Sequence, residues 1–247
     1  MTQNEENNRQ NAQAEWSQTT ERSSSQNCAK NKQLLLLQTK NDLAEWFADN
    51  WFERIGKNAK KREEPFTHIL IHNILRENKV EQLLEAACNA EFKHVVSRLY
   101  EMDLGPHLHE TENNILRRFD EFLNSPQALD LFCEILQIKT TKETATKLYC
   151  TTHIARFKTG DFIKAHNDVA PKRRGTFVLY LTTAKESDGG ALELLDDKRQ
   201  VVQRYAPQRN SILFFVPTKS SLHQVTRIQT DNPDAIRYTL TAGIFEE

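Results

Sequence analysis

Cysteine is scarce in this chain. Cys28, Cys88, Cys133 and Cys150 are widely spaced among 247 residues and form no C-x-x-C pair. Neither a disulfide framework nor a thiolate zinc site is indicated, so reduced thiols in a cytosolic protein are expected. A dominant charge is missing too. The 33 Lys+Arg and 34 Asp+Glu leave a formal net charge of −1, which argues against a surface adapted as a whole to nucleic acid or anionic lipid. The short basic cluster Lys60-Lys61-Arg62 reads as solvated surface. Long apolar runs are also lacking: the strongest, Leu34 to Leu37, falls far short of the roughly 20 residues that cross a bilayer. The N-terminus shows no basic, apolar, small-residue order of a secretory signal, and no internal repeat is visible. The expectation is a soluble protein of the cytoplasm, or of the nucleus in a eukaryote, with one sizeable core.

Residues 1–31 are dominated by Gln, Asn, Ser and Thr, too polar to offset their ordering entropy, and read as a disordered tail. Residues 32–64 read as a helical lead-in. Asp42 and Glu45 have capping-box spacing, Trp46, Phe47 and Ile55 supply an apolar side, and a charged break runs from Lys57 to Glu64. Residues 65–247 then form the main domain. Phe66 to Ile71 predicts a strand, and Asn78 with Glu81 opens a helix that buries Val80, Leu83, Leu84 and Ala87. Thr111–Leu123 predicts a second helix. Ser125-Pro126 starts a third, because proline at the first helical position loses nothing by lacking its N–H. From Tyr149 onward the pattern changes to short strand-like runs over 152–157, 162–166, 176–182, 191–195, 200–205, 211–216, 222–228 and 237–245, separated by Gly, Pro, Asp and Asn. Helices first and a β-rich second half make an α+β domain built on a sandwich or barrel.

His166 and Asp168 are two residues apart, so on an extended segment both side chains point one way. An imidazole and a carboxylate so placed can take two adjacent positions on one metal, and His223, in the strand-like run Leu222–Val225, can complete a 2-His-1-carboxylate face. Arg237, Thr239 and Thr241 also share a face. If it points into a barrel, the Arg237 guanidinium needs a bound anion, and its planar fork suits a carboxylate, with Thr239 adding a hydroxyl. Tyr180 lies on the opposite face of its strand from Phe177, Leu179 and Leu181. A rival metal pair at His107-Leu108-His109 lacks a nearby carboxylate and anion-binding pattern.

The ordered series His166-Asn167-Asp168, Arg173-Arg174, Phe177 to Leu181, Gly189-Gly190-Ala191-Leu192, Asn210 to Phe215, His223-Gln224-Val225 and Arg237-Tyr238-Thr239 resembles the prolyl hydroxylase branch of the 2-oxoglutarate oxygenases. Within that branch it is most similar to cytosolic prolyl 3-hydroxylases that modify a ribosomal protein. The resemblance runs from about Pro65 to the C-terminus. It implies a double-stranded β-helix (jelly roll) with supporting N-terminal helices, and catalytic Fe(II) held by His166, Asp168 and His223. It implies 2-oxoglutarate as cosubstrate, its distal carboxylate on Arg237 with Tyr180 donating, O2 as oxidant and ascorbate in a supporting role. The expected activity is hydroxylation of a C–H bond, in a prolyl residue of a protein or peptide substrate, ribosomal by resemblance. Hydroxylation of a small molecule or free amino acid, and a non-catalytic binding protein that keeps the fold, are the alternatives. Asp168 favours hydroxylation, since related halogenases replace this carboxylate with a small residue.

If the match holds, the segments Leu99–Gly105 and Val169–Arg174 lie near the cavity entrance as substrate-gripping loops, with Tyr100, Asp103, Arg173 and Arg174 as candidate substrate contacts. A structural salt bridge is the competing role for the two arginines. Two departures stand out. Phe157 occupies the position where relatives often carry the tyrosine of Tyr-x-x-Gly-Asp. The chain also has one barrel where the eukaryotic ribosomal hydroxylases carry a second, degenerate one, whose contacts do not transfer.

Overall fold

The computed structural model describes residues 43–49, 51, 60–138, 147–230 and 236–247. The polar tail at 1–31, the Asp42 cap and Ile55 lie outside the described residues. The elements are β1 (Lys60–Arg62), β2 (His68–His72), α1 (Glu77–Cys88), β3 (Lys93–Val96), β4 (Tyr100–His107), α2 (Asn114–Leu123), α3 (Pro126–Leu136), β5 (Leu148–Phe157), β6 (Phe162–His166), β7 (Arg173–Tyr180), β8 (Leu192–Leu195), β9 (Val201–Tyr205), β10 (Ser211–Phe215), β11 (His223–Val225) and β12 (Arg237–Glu246), with short 3₁₀ turns at Leu108–Glu110 and Glu186–Asp188. No helix among the described residues is long and apolar enough to cross a membrane, and Cys88, Cys133 and Cys150 are free thiols.

The strands form one antiparallel sheet in the order β1-β2-β10-β7-β12-β5-β4-β6-β11-β8-β9, with β3 added onto β4. Its two ends meet through side chains. Arg62 donates to Gln203 Oε1 at 2.6 Å, and His68 Nε2 lies 2.7 Å from Tyr205 Oη. The sheet therefore curls on itself into the jelly roll. Strand β10 shows why: all of Ser211–Phe215 is buried, so the alternation of a one-sided strand is replaced by a continuous apolar run. Leu213 and Phe215 join Phe66, Met102, Phe157 and Leu192 in the barrel interior. Phe214 points outward to Phe177 (5.4 Å) and to Phe132 of α3 (5.6 Å). The helices thus cover one sheet and leave the interior for the site.

Several boundaries differ from the sequence reading: β5 starts at Leu148 and β7 at Arg173, both earlier than expected, and β11 is only His223–Val225. Helix α1 begins at Glu77 with Arg76 as N-cap and no side-chain cap bond, so Asn78 sits inside the first turn. The Arg76 N–H bonds the Trp46 carbonyl, and its guanidinium bonds the Ala44 carbonyl and Asp49; these contacts fix the turn instead. Helix α2 starts at Asn114 because Asn113 Oδ1 accepts from Ile115 and Leu116 N–H at 3.1 and 3.3 Å. The segment expected to be an entrance loop, Leu99–Gly105, is largely strand β4, paired with β3, β5 and β6.

That strand has an ionic knot on its outer side. Asp103 is buried and meets Arg156 (2.7 Å), Lys158 (2.9 Å) and His94 (2.8 Å). Burial alone would raise its pKa, but these donors outweigh it and hold the carboxyl at about 2. A carboxyl depressed on folding contributes stability above its unfolded pKa, and that contribution drains away as pH falls from about 4 to about 2. Asp103→Asn should therefore cost on the order of 2 kcal/mol at neutral pH. It should also flatten the acid limb of stability, which urea titrations at pH 7 and pH 3 would reveal.

Candidate active site

His166 ends β6 and His223 begins β11, directly opposite it in the ladder. Their rings lie 4.2 Å apart between centroids. Each Nδ1 is 2.9 Å from a backbone carbonyl, Lys164 O for His166 and Ser221 O for His223. A carbonyl can only accept, so each Nδ1 carries a proton, and each Nε2 faces inward and offers a lone pair once its ring is neutral.

Asp168 joins them by a route that strand alternation does not describe. The strand has ended, and Asp168 adopts φ 61°, a left-handed conformation that aspartate tolerates. The turn is held by Asn167, whose Oδ1 accepts from Val169 N–H and whose carbonyl lies 3.0 Å from Ser221 Oγ. The Asp168 carboxylate comes within 3.3 Å of His166 Nε2 and 3.8 Å of His223 Nε2. One ligand atom from each of the three residues lies within 4.8 Å of the others, and this is the one such group of His, Cys, Asp or Glu among the described residues. The rings of the rival pair His107 and His109 lie tilted with centroids 5.5 Å apart, without a third ligand among the described residues to complete a group.

The charges are arranged for a cation. Burial would raise the Asp168 pKa, but the hydrogen bond from His166 and the charges of His223 and Arg173 bring it to about 2. Burial, reinforced by the neighbouring imidazole, holds His223 at about 4. Burial also depresses His166, but its contact with Asp168 outweighs this and raises its pKa above the ordinary value. Two nitrogen lone pairs and an anionic oxygen converging at this spacing make a donor set for a divalent metal with faces left open.

These residues open onto a cavity of about 280 Å³, also lined by Tyr100, Met102, His153, Ile163, Arg173, Val178, Leu192, Val225, Arg237, Thr239 and Thr241. Arg237 is 3% exposed and sits 4.6 Å over the Phe157 ring and 5.4 Å from that of Tyr180. Its Nε and NH1, the Tyr180 hydroxyl and the Thr239 hydroxyl are all buried without a hydrogen-bond partner among the described residues. Burial pushes the Arg237 pKa down and the Tyr180 pKa up, each partly opposed by the other group. A buried guanidinium beside two buried hydroxyls, with no carboxylate of the described residues paired to it, fits an incoming carboxylate. The backbone allows the approach at Gly190 (φ +69°), where an added Cβ would crowd Ile228 at 3.2 Å and lie 3.6 Å from Arg237 Cδ.

The four candidate substrate contacts fare differently. Tyr100 lines the cavity beside Leu99 and Met102. Asp103 does not, being held in the knot on the other face of β4. Arg173 lines the cavity, but its NH2 bonds Asp168 Oδ2 at 3.2 Å and its NH1 the Asp168 carbonyl at 3.3 Å. It braces the carboxylate, which is the salt-bridge role. Arg174, its neighbour on the pleat, turns outward to Glu246 at 3.6 Å and plays no part in the cavity. The sequence reading missed His153. Alternation along β5 carries the signal, because His153, Ala155 and Phe157 share the inward face.

Comparison with known proteins agrees with this geometry. Residues 152–243 match the family model of the 2OG-Fe(II) oxygenase superfamily. The chain is 26% identical over 182 residues to the Prolyl 3-hydroxylase OGFOD1 of Xenopus laevis, covering 68% of this chain and 33% of the relative. It is 22% identical over 216 residues to the Prolyl 3-hydroxylase sudestada1 of Drosophila melanogaster, covering 76% and 38%. It thus spans about a third of the length of these curated relatives. Among solved structures, a Pseudomonas putida prolyl-4-hydroxylase superposes with TM-score 0.59 at 15% identity, over 80% of this chain and 99% of that one. A Trichoplax adhaerens prolyl hydroxylase, in complex with a hypoxia inducible factor peptide fragment, gives 0.55 at 16% identity over 86% and 93%. These likenesses establish the fold.

Proposed function

We propose that this chain, whose residues 152–243 match the 2OG-Fe(II) oxygenase family model, hydroxylates a C–H bond of a prolyl residue in a protein or peptide substrate. The observation that carries the oxygenase reading is the buried Arg237, which with Thr239 lines the same cavity as the His166–Asp168–His223 group and has the buried Tyr180 beside it. The prolyl substrate is supported by the curated relatives and the solved prolyl hydroxylases.

His166, Asp168 and His223 would hold Fe(II). Arg237, Tyr180 and Thr239 would take the distal carboxylate of 2-oxoglutarate. When bound, iron and 2-oxoglutarate supply the oxidising chemistry, consuming O2 and releasing succinate and CO2. The chain's own contribution is placement. Lys164 and Ser221 carbonyls fix the imidazole tautomers, Arg173 keeps the Asp168 carboxylate aimed, and Ile163, Val178, Leu192 and Val225 keep water from the cavity. The free thiols Cys88, Cys133 and Cys150 support a reducing compartment, cytoplasm or nucleus.

The test supplies Fe(II), ascorbate, 2-oxoglutarate and O2 to the protein with ribosomal proteins, proline-centred peptides and free amino acids in parallel. The reading expects stoichiometric succinate and the mass gain of one oxygen on a prolyl residue of a protein or peptide. Product only from free amino acids would replace it with small-molecule hydroxylation. No turnover of 2-oxoglutarate on any of them would favour a binding protein that keeps the fold.

A further inference from the structure

Strands β5, β12 and β7 build the cavity wall as a ladder of rungs. Arg237 pairs with Phe157, Thr239 with Ala155 and Tyr180, and Thr241 with His153 and Val178. The anion-binding end and His153 are therefore four residues apart along β12, about 13 Å at the usual rise of a strand. At the Arg237 end the polar groups suit a carboxylate. At the other end His153 is the polar ring in the wall, close enough to Arg173 and Asp168 to feel both charges.

A local irregularity is spent on this histidine. Between Leu104, which pairs with Ala155, and His107, which pairs with His153, β4 advances three residues while β5 advances two. Without that bulge Pro106 would stand opposite His153. With it, His107 faces His153 edge-on, with ring centroids 5.8 Å apart and an interplanar angle of 73°. Gly105 makes the bulge feasible, because a Cβ there would lie 3.0 Å from Ile154 Cβ and 3.3 Å from the Ile154 carbonyl oxygen. Bulges beside active sites commonly re-aim a side chain. Here the result is an imidazole braced by a second ring but without a hydrogen bond from any described residue.

From this placement we propose that His153 is a specificity-determining residue, which hydrogen-bonds a backbone peptide group of the substrate next to the residue that is hydroxylated. The inference rests on reading the cavity as a hydroxylase site. Burial, helped by His107 and Arg173, keeps this imidazole neutral with a pKa of about 4, so it offers one N–H and one acceptor nitrogen. That pair matches an amide. A free amino acid would bring a carboxylate in need of a cation, and the Arg173 cation is already committed to Asp168. His153 therefore favours a peptide over a free amino acid.

The test compares wild type with His153→Ala and His153→Gln on a library of proline-centred peptides, N-acetylated and C-amidated. Affinity is measured on protein loaded with Mn(II) and N-oxalylglycine, a non-reactive mimic of 2-oxoglutarate. Turnover is measured with Fe(II) and 2-oxoglutarate. In the alanine variant, N-oxalylglycine affinity should stay within about twofold of wild type. Peptide Kd and KM should rise about tenfold, the loss of one buried hydrogen bond, with kcat within about threefold. Glutamine, which keeps a donor and an acceptor, should restore most of the loss. Wild-type KM in the alanine variant would overturn the assignment while leaving the hydroxylase reading intact. A parallel fall in N-oxalylglycine affinity would overturn it as well, by marking the residue as structural. A wild type that binds and oxidises no peptide would overturn both readings together.

Discussion

Arg237→Leu should weaken N-oxalylglycine binding at least about a thousandfold, roughly 4 kcal/mol, while leaving the ligand-free protein no less stable than wild type. The two halves have one cause. The guanidinium is 3% exposed, and neither its Nε nor its NH1 has a hydrogen-bond partner among the described residues. Its contacts with the Phe157 and Tyr180 rings return only part of the cost of removing a cation from water. An apolar side chain of similar length removes that cost and, with it, the fork that grips a carboxylate. In thermal melts with Mn(II), wild type should gain several degrees on saturation with N-oxalylglycine and the leucine variant none. Arg237→Lys should fall between them, because it keeps the charge but not the two parallel donors. A leucine variant that N-oxalylglycine stabilises as much as wild type would remove Arg237 from the cosubstrate site.

Removing any one donor of the three-residue group should cost Fe(II) or Mn(II) affinity about two to three orders of magnitude, for His166→Ala and His223→Ala alike. Arg173→Gln, which frees the carboxylate from its brace without touching a ligand atom, should cost about tenfold. Metal affinity should also depend on pH in a definite sense. Burial keeps His223 neutral down to about 4 and Asp168 stays ionised down to about 2, so neither binds a proton that the metal must displace near neutrality. His166 is the one of the three that gives up its proton at the highest pH, because Asp168 raises its pKa above the ordinary value. Affinity should therefore be flat above that raised pKa and fall about tenfold per pH unit below it, the slope of one displaced proton. Metal titrations across pH 5 to 8 would check this; a slope of two protons would mean that His223 also titrates there.

The chemistry-bearing side chains were legible because they are few and their types are specific. A histidine and an aspartate two apart, a later histidine after an apolar strand, and an arginine alternating with threonines suggest a metal face and a carboxylate grip, roles that the resemblance to the oxygenases then assigns. The helix starting at Ser125-Pro126 and the strands from Tyr149 onward were equally plain, since proline at the first helical position and apolar alternation are local signals. What stayed hidden depends on tertiary contacts. Leu99–Gly105 was expected to be an entrance loop on the resemblance alone, whereas it runs largely in β4, where Gly105 admits a bulge against Ile154. Asp103 looked available to substrate because its three partners come from β3, from β5 and from just beyond β5. His153 merged into an apolar run, and Arg173 could be told from Arg174 only once the strand's start was known.

A structure determined from crystals soaked anaerobically with Mn(II) and N-oxalylglycine tests the central claim most directly. The account predicts the metal on Nε2 of His166, Nε2 of His223 and a carboxylate oxygen of Asp168, with the far carboxylate of the mimic on Arg237 and in reach of the Tyr180 and Thr239 hydroxyls. A mimic bound away from Arg237, or a metal that leaves His223 uncoordinated, would contradict it.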